Sequence, residues 1–181
     1  VKFKLAFLLL VIAACSAGSI SAQIAVADSC RNIPCSAFSN ITEFPDDSFY
    51  EPLAETVCEW LGTPYCYSGD SKRGIDCSGF VSMLYRKIYN INLAESSKEI
   101  FSNDVKAIKK QNLEPSDLVF FKIHRKRVSH VGIYLGNNKF AHATVKHGVT
   151  ISDLSDPYYK KYFFKAGRVK ELMSETVNAL K

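Results

Sequence analysis

His130-Val131-Gly132-Ile133-Tyr134-Leu135-Gly136-Asn137-Asn138-Lys139-Phe140-Ala141-His142-Ala143 is two apolar runs around a turn. Gly and Asn tolerate positive φ, so Gly136-Asn137-Asn138 closes a hairpin of Val131–Leu135 with Lys139–Ala143. Similar runs, rich in β-branched and aromatic residues, lie outward of it at Leu118–Phe121, Gly148–Ser152 and Phe163–Val169. The second half of the chain therefore reads as an antiparallel sheet.

Before Pro115 the period changes from two to 3.6. Ser48 and Glu51 form a capping box, and Leu53, Val57, Trp60 and Leu61 recur at helical spacing until Gly62-Thr63-Pro64. A second helix opens at Asp76–Cys77 and carries Phe80, Val81, Leu84, Tyr85 and Ile88 along one stripe. Ser96 with Glu99 marks a third, short one. Helices followed by an antiparallel sheet give an α+β class. The body is expected over 46–170, with a tether before it and a short helix or frayed end over 171–181.

The chain has 181 residues, 47% of them hydrophobic and 23% charged, which excludes disorder and collagen and suits one core. A net charge of +5 is too small to point to nucleic acid. The basic run from Lys122 to Arg127 reads as a solvated loop. The aromatic group Tyr158, Tyr159, Tyr162, Phe163 and Phe164 reads as packing rather than as a ligand wall.

Cys77 falls in the first turn of its helix, where the helix dipole lowers a thiol pKa from about 8.5. His130 and His142 flank the hairpin turn at nearly equal, even separation, which puts both on one face if no bulge intervenes. One imidazole can then take the thiol proton while the other orients it. Zinc held by Cys77, His130 and His142 is a competing reading, disfavoured because no local metal spacing is present.

Five strings give the neighbourhood its specificity: Gly62-Thr63-Pro64-Tyr65, Gly74-Ile75-Asp76-Cys77-Ser78-Gly79-Phe80-Val81, Asp117-Leu118-Val119-Phe120-Phe121, His130-Val131-Gly132-Ile133-Tyr134 and Phe140-Ala141-His142-Ala143. In order and spacing they resemble the NlpC-type cell-wall cysteine peptidases, relatives of papain, from about Leu61 to Val169. The resemblance implies a papain-like fold, with Cys77 as nucleophile, His130 as general base and His142 as the orienting residue. It further implies that Tyr65 shapes the pocket and that Asp76 and Ser78 hold a free amine of the substrate. The implied reaction is cleavage of a peptidoglycan stem-peptide amide, between γ-D-glutamate and diaminopimelate, through a thioester and without a cofactor. A catalytically weak envelope binding module and an acyltransferase using the same thiol are the alternatives. Ser116 stands where the family usually has Gly before its Asp, and His124 and His147 match no catalytic position.

At the other end of the chain, Lys2 and Lys4 precede an apolar stretch from Leu5 to Ala14, a signal-peptide layout about half the ~20 residues that a membrane span needs. Ile12-Ala13-Ala14-Cys15 resembles a bacterial lipobox, which implies a signal over 1–14, an acylated Cys15 and a tether over 15–45 that holds a monomer on a membrane of the bacterial envelope. An ordinary signal cut after Ala22 or Ala27 is the alternative. Export favours disulfides; with Cys77 as the odd thiol, the other four cysteines allow three pairings, of which sequence proximity favours Cys30 with Cys35 and Cys58 with Cys66.

Overall fold

In the computed structural model the described residues are 51–123 and 126–173, all within the unit Pro34–Lys181. The signal and tether, Cys15, Cys30, Cys35, Ser48, His124 and most of the tail lie outside them. Helix α1 (Glu51–Trp60) is followed by a short hairpin of β1 (Asp70–Ser71) and β2 (Gly74–Ile75), and then by α2 (Cys77–Tyr89). A three-residue α3 (Ser97–Glu99) runs into a π turn at Ile100–Asp104. Strands β3 (Val105–Ile108), β4 (Leu118–Phe121), β5 (His130–Gly136), β6 (Lys139–Thr144) and β7 (Gly148–Asp153) come next. A short α4 (Pro157–Tyr162) leads into the last strand, β8 (Phe163–Val169).

The main sheet is six-stranded, in the order β3-β8-β4-β5-β6-β7, and every pair is antiparallel. The expected α+β class and antiparallel sheet are what the chain forms. Several elements escaped the pattern, among them the β1–β2 hairpin, β3 and α4. Strand β3 has an exposed Lys106–Ala107 centre because it is an edge strand, and α4 hides among the tyrosines as a Pro-initiated helix capped by Asp156.

Apolar residues on one side of α1 and α2 (Leu53, Val57, Phe80, Val81, Leu84, Tyr85) meet the near face of the sheet at Leu118, Phe120, Val131 and Ile133. The far face carries a second cluster of Val119, Phe121, Tyr134, Phe140 and Leu154. Both faces of β4 are thus covered, which is why it reads as a continuous apolar run rather than an alternating one.

Two turn residues fix how the parts meet. The link after α1 is pinned to β7, since the N–H of Gly62 donates to Val149 O and that of Val149 to Thr63 O, both at 2.9 Å. Gly148, at φ +63°, lies so close that a Cβ there would sit 2.2 Å from Thr63 O. Only glycine meets both demands. Ser116 has φ 76°, the left-handed region that a Gly would enter more easily. It is held by the hydroxyls of Tyr89, on its Oγ, and Tyr85, on its carbonyl.

Candidate active site

Asp76 caps α2 and presents Cys77 as its first helical residue. One Asp76 oxygen accepts from the Gly79 N–H at 2.7 Å and from the Ser78 hydroxyl at 3.0 Å, and the other accepts from the Ser68 N–H at 2.9 Å. Asp76 and Ser78 are both buried, so the carboxylate organises the turn that bears the thiol. Gly79 is small for the same reason, because a Cβ there would come 2.6 Å from Gly69 O.

The Cys77 sulfur is buried and outside any disulfide. Burial pushes its thiol up to about 11, the Asp76 carboxylate adds to the rise, and the N–H groups of Val131, Ser78 and Cys77 itself oppose it. This corrects the expectation of a thiol lowered by its helix position. The helix N–H groups act in the expected direction, but removing a thiolate from water costs more than they return. The resting species is therefore the neutral thiol. The same N–H of Val131 places the start of β5, where His130 stands, against the nucleophile's helix.

His130 Nε2 and His142 Nδ1 are 2.7 Å apart, with the rings nearly edge-on at 76°. His142 is fully buried, and burial, helped by the charges of His130 and His147, holds it well below the ordinary imidazole value, so it is neutral. Its Nε2 lies 2.9 Å from Ser152 Oγ and 3.4 Å from the Tyr159 hydroxyl. Its ring rests on Phe140 and is met edge-on by Tyr159. The small Gly132 leaves the room: a Cβ there would stand 2.7 Å from the Phe140 ring and 3.2 Å from His142 Cβ.

The two histidines meet because a bulge intervenes, the opposite of the condition under which they were expected to share a face. At the turn Gly136 pairs with Lys139, but beyond it Tyr134 pairs with Phe140 and Ile133 with Ala141, so Leu135 is an extra residue. Continued unbroken, the register set at the turn would oppose His142 to Ile133 and leave His130 on the other face. The one-residue slip brings them together.

Tyr65 is half-buried and bridged in parallel to Ile75, one residue before the cap of α2. Burial, then the neighbouring Cys77 and Asp76, raise its phenol to about 12, so it stays a protonated donor. The structure thus gathers Tyr65, Asp76, Cys77 and Ser78 at one helix end, pairs His130 with His142 on β5 and β6, and links the two groups through the Val131 N–H at the Cys77 sulfur. Ser152, Tyr159 and Gly132 belong to the same constellation and were not read as site residues in the sequence. Ser152 could have been found by pairing β6 with β7, since it lies opposite Phe140, diagonal to His142. Tyr159 packs on Phe121 and Phe140, as the packing reading of the aromatic group expects, whereas Tyr158 is largely exposed.

The pairing of Cys58 with Cys66 is not made. Cys58 packs at the edge of the core on α1, whereas Cys66 is exposed with its Cβ over Gly74.

Comparison with known proteins places the fold in a family. The family model described as "NlpC/P60 family" matches residues 62–168. A "Probable endopeptidase" of Haemophilus influenzae is 41% identical over 118 residues, 65% of this chain and 73% of that protein. The "Murein DD-endopeptidase MepS/Murein LD-carboxypeptidase" of Escherichia coli K12 is 39% identical over 117 residues, 65% of this chain and 61% of that protein. The crystal structure of an NlpC/P60 family protein from Bacillus cereus superposes with a TM-score of 0.61 at 31% identity, covering 68% of this chain and 41% of that one. This chain therefore spans only part of the length of its relatives, and the family match over residues 62–168 includes Cys77, His130 and His142. The chain belongs to the NlpC/P60 family.

Proposed function

We propose that the protein is a peptidoglycan hydrolase, a cysteine peptidase that cuts a stem-peptide amide next to diaminopimelate. The observation that carries this reading is the 2.7 Å histidine pair on β5 and β6, together with the N–H of Val131, the neighbour of His130, that reaches the Cys77 sulfur at the capped start of α2. His130 Nδ1, the nitrogen not turned to His142, takes the thiol proton as sulfur attacks the carbonyl carbon. The oxyanion forms near the Cys77 N–H, and such a donor contributes about 3 kcal/mol. Imidazolium then gives its proton to the leaving amine, and a thioester remains. Water, losing a proton to His130, hydrolyses the thioester and frees the acid and the thiol.

Tyr65, Asp76 and Ser78 form the substrate wall in this reading. The Ser78 O–H is spent on Asp76, so its oxygen is free to accept from a protonated amine whose charge the carboxylate balances. The bond cut is the one between γ-D-glutamate and diaminopimelate. The name of the E. coli relative favours a second reading, a DD-endopeptidase cut in murein. Residues 46–170 are the catalytic domain, and a lipid on Cys15, through the 15–45 tether, holds it as a monomer at the bacterial envelope.

Mass spectrometry of products from a defined, cross-linked muropeptide tests this. One new amide cleavage is expected, lost by orders of magnitude in Cys77→Ala, His130→Ala and His142→Ala and insensitive to chelator. Cys77→Ala at the wild-type rate ends the assignment. Binding to sacculi without any product supports the binding-module alternative, and a product joined to an added amine the acyltransferase alternative.

A further inference from the structure

His142 is sealed from water, so each of its nitrogens has only protein for a partner. A neutral imidazole carries one proton, and two arrangements satisfy the His130–His142 contact. If the proton is on Nε2, Nδ1 accepts from His130 Nε2–H, and His130 Nδ1 is left as the lone pair that can receive a thiol proton. If the proton is on Nδ1, His130 Nε2 becomes the acceptor, a neutral His130 must carry its own proton on Nδ1, and the base points the wrong way. Which nitrogen is protonated is set by what the other end of the ring meets.

That end meets Ser152 Oγ at 2.9 Å. A hydroxyl has one hydrogen, and Ser152 Oγ is placed to donate it to the Tyr159 hydroxyl at 3.3 Å. With that bond made, its oxygen accepts from His142. Tyr159 in turn is fixed by its ring contacts with Phe121, Phe140 and His142.

We propose that Ser152, with its hydroxyl turned by Tyr159, is a positioning residue that locks His142 as the Nε2–H tautomer and thereby leaves His130 Nδ1 free to act as the base. The chain of donors runs His130 Nε2–H to His142 Nδ1, His142 Nε2–H to Ser152 Oγ, and Ser152 O–H to Tyr159. It holds unchanged when His130 becomes imidazolium, since His142 then still accepts from it. The inference rests on the function proposed above for its kinetic consequence, but the tautomer itself does not depend on activity.

The test uses the full chain with 15N-labelled histidine. Nitrogen shifts and two-bond couplings report His142 protonated on Nε2 in the wild type and a mixture in Ser152→Ala. On the muropeptide substrate, Ser152→Ala lowers kcat by about tenfold to a hundredfold, the span implied by a buried N–H left without its acceptor. KM changes by less than about twofold, and Ser152→Thr restores most of the rate. Tyr159 stands 3.4 Å from Nε2 and serves as a partial substitute, so Ser152→Ala with Tyr159→Phe falls further than either alone. A wild-type His142 protonated on Nδ1 overturns the proposal. So does a Ser152→Ala that keeps the wild-type tautomer and kcat, loses rate without a tautomer change, or only raises KM. Should Ser152→Ala fail to fold, the wild-type spectrum and Tyr159→Phe decide. An active Cys77→Ala would sink the hydrolase reading and leave the tautomer result standing.

Discussion

The protonation of Cys77 decides how the site works at neutral pH. Its thiol is pushed up to about 11 by burial, above the 9.0 of an exposed cysteine, so the sulfur gives up its proton only as it reacts. Alkylation by iodoacetamide in the absence of substrate should be slow at pH 7 and climb from about pH 9 upward. A plateau already reached at neutral pH would show a preformed thiolate. The raised value also carries a stability consequence. The folded state retains a proton that the unfolded state loses, so this contribution is full below about pH 9 and disappears as pH rises through about 11. Cys77→Ser melts followed from pH 7 to 11 should therefore lose less stability than wild type over the alkaline half of that range.

At the scale of elements, the β5–β6 hairpin sets the geometry through its extra residue, Leu135, and through the bare Cα of Gly132. Gly132→Ala would press on the Ala141 carbonyl at 2.9 Å and on the Phe140 ring, neither of which is the free end of a flexible side chain. Overpacking of this kind costs about 1–3 kcal/mol. Because the displaced strand carries His142, kcat for muropeptide cleavage should fall more than tenfold while the fold is kept. A variant with normal kcat and a lowered melting temperature would show that the close approach matters to stability alone. The hairpin also shows where pattern reading stops. The positive φ of Asn137 and Asn138 was legible in the residue types, but whether one residue would bulge was not, because either register buries apolar side chains.

Across the whole molecule, the sheet is completed by β8 slotting between β3 and β4, a placement far from sequence order. Arg168 on β8 ties this arrangement together. Its guanidinium donates to both oxygens of the buried Asp117 at 2.8 and 2.9 Å and pairs with Glu114, and those partners raise its pKa further above the ordinary arginine value. Arg168→Met leaves the Asp117 carboxylate with the Glu114 N–H as its one remaining partner in this group. A loss of about 2–3 kcal/mol is expected, the range for charged hydrogen bonds to a buried group, read as a melting temperature lower by about 5–10 °C. Alkylation of Cys77 at a given pH should not change, since the pair lies outside the nucleophile's surroundings. A change there would mean that the β8 tie reaches the site.

The sequence by itself determined the α+β class, the two main helices, most of the sheet and the candidates Cys77, His130 and His142. These follow from local rules, namely side-chain period, capping by Asp76 and turn chemistry at Gly136–Asn138. The tertiary structure alone decided that burial raises the Cys77 thiol, that a bulge puts both histidines on one face, that Cys58 and Cys66 form no bridge with each other, and that Ser152 and Tyr159 complete the histidine pair. Each of these turns on desolvation, register or contact between segments distant in the chain, quantities that exist only once the sheet and helices have enclosed the site.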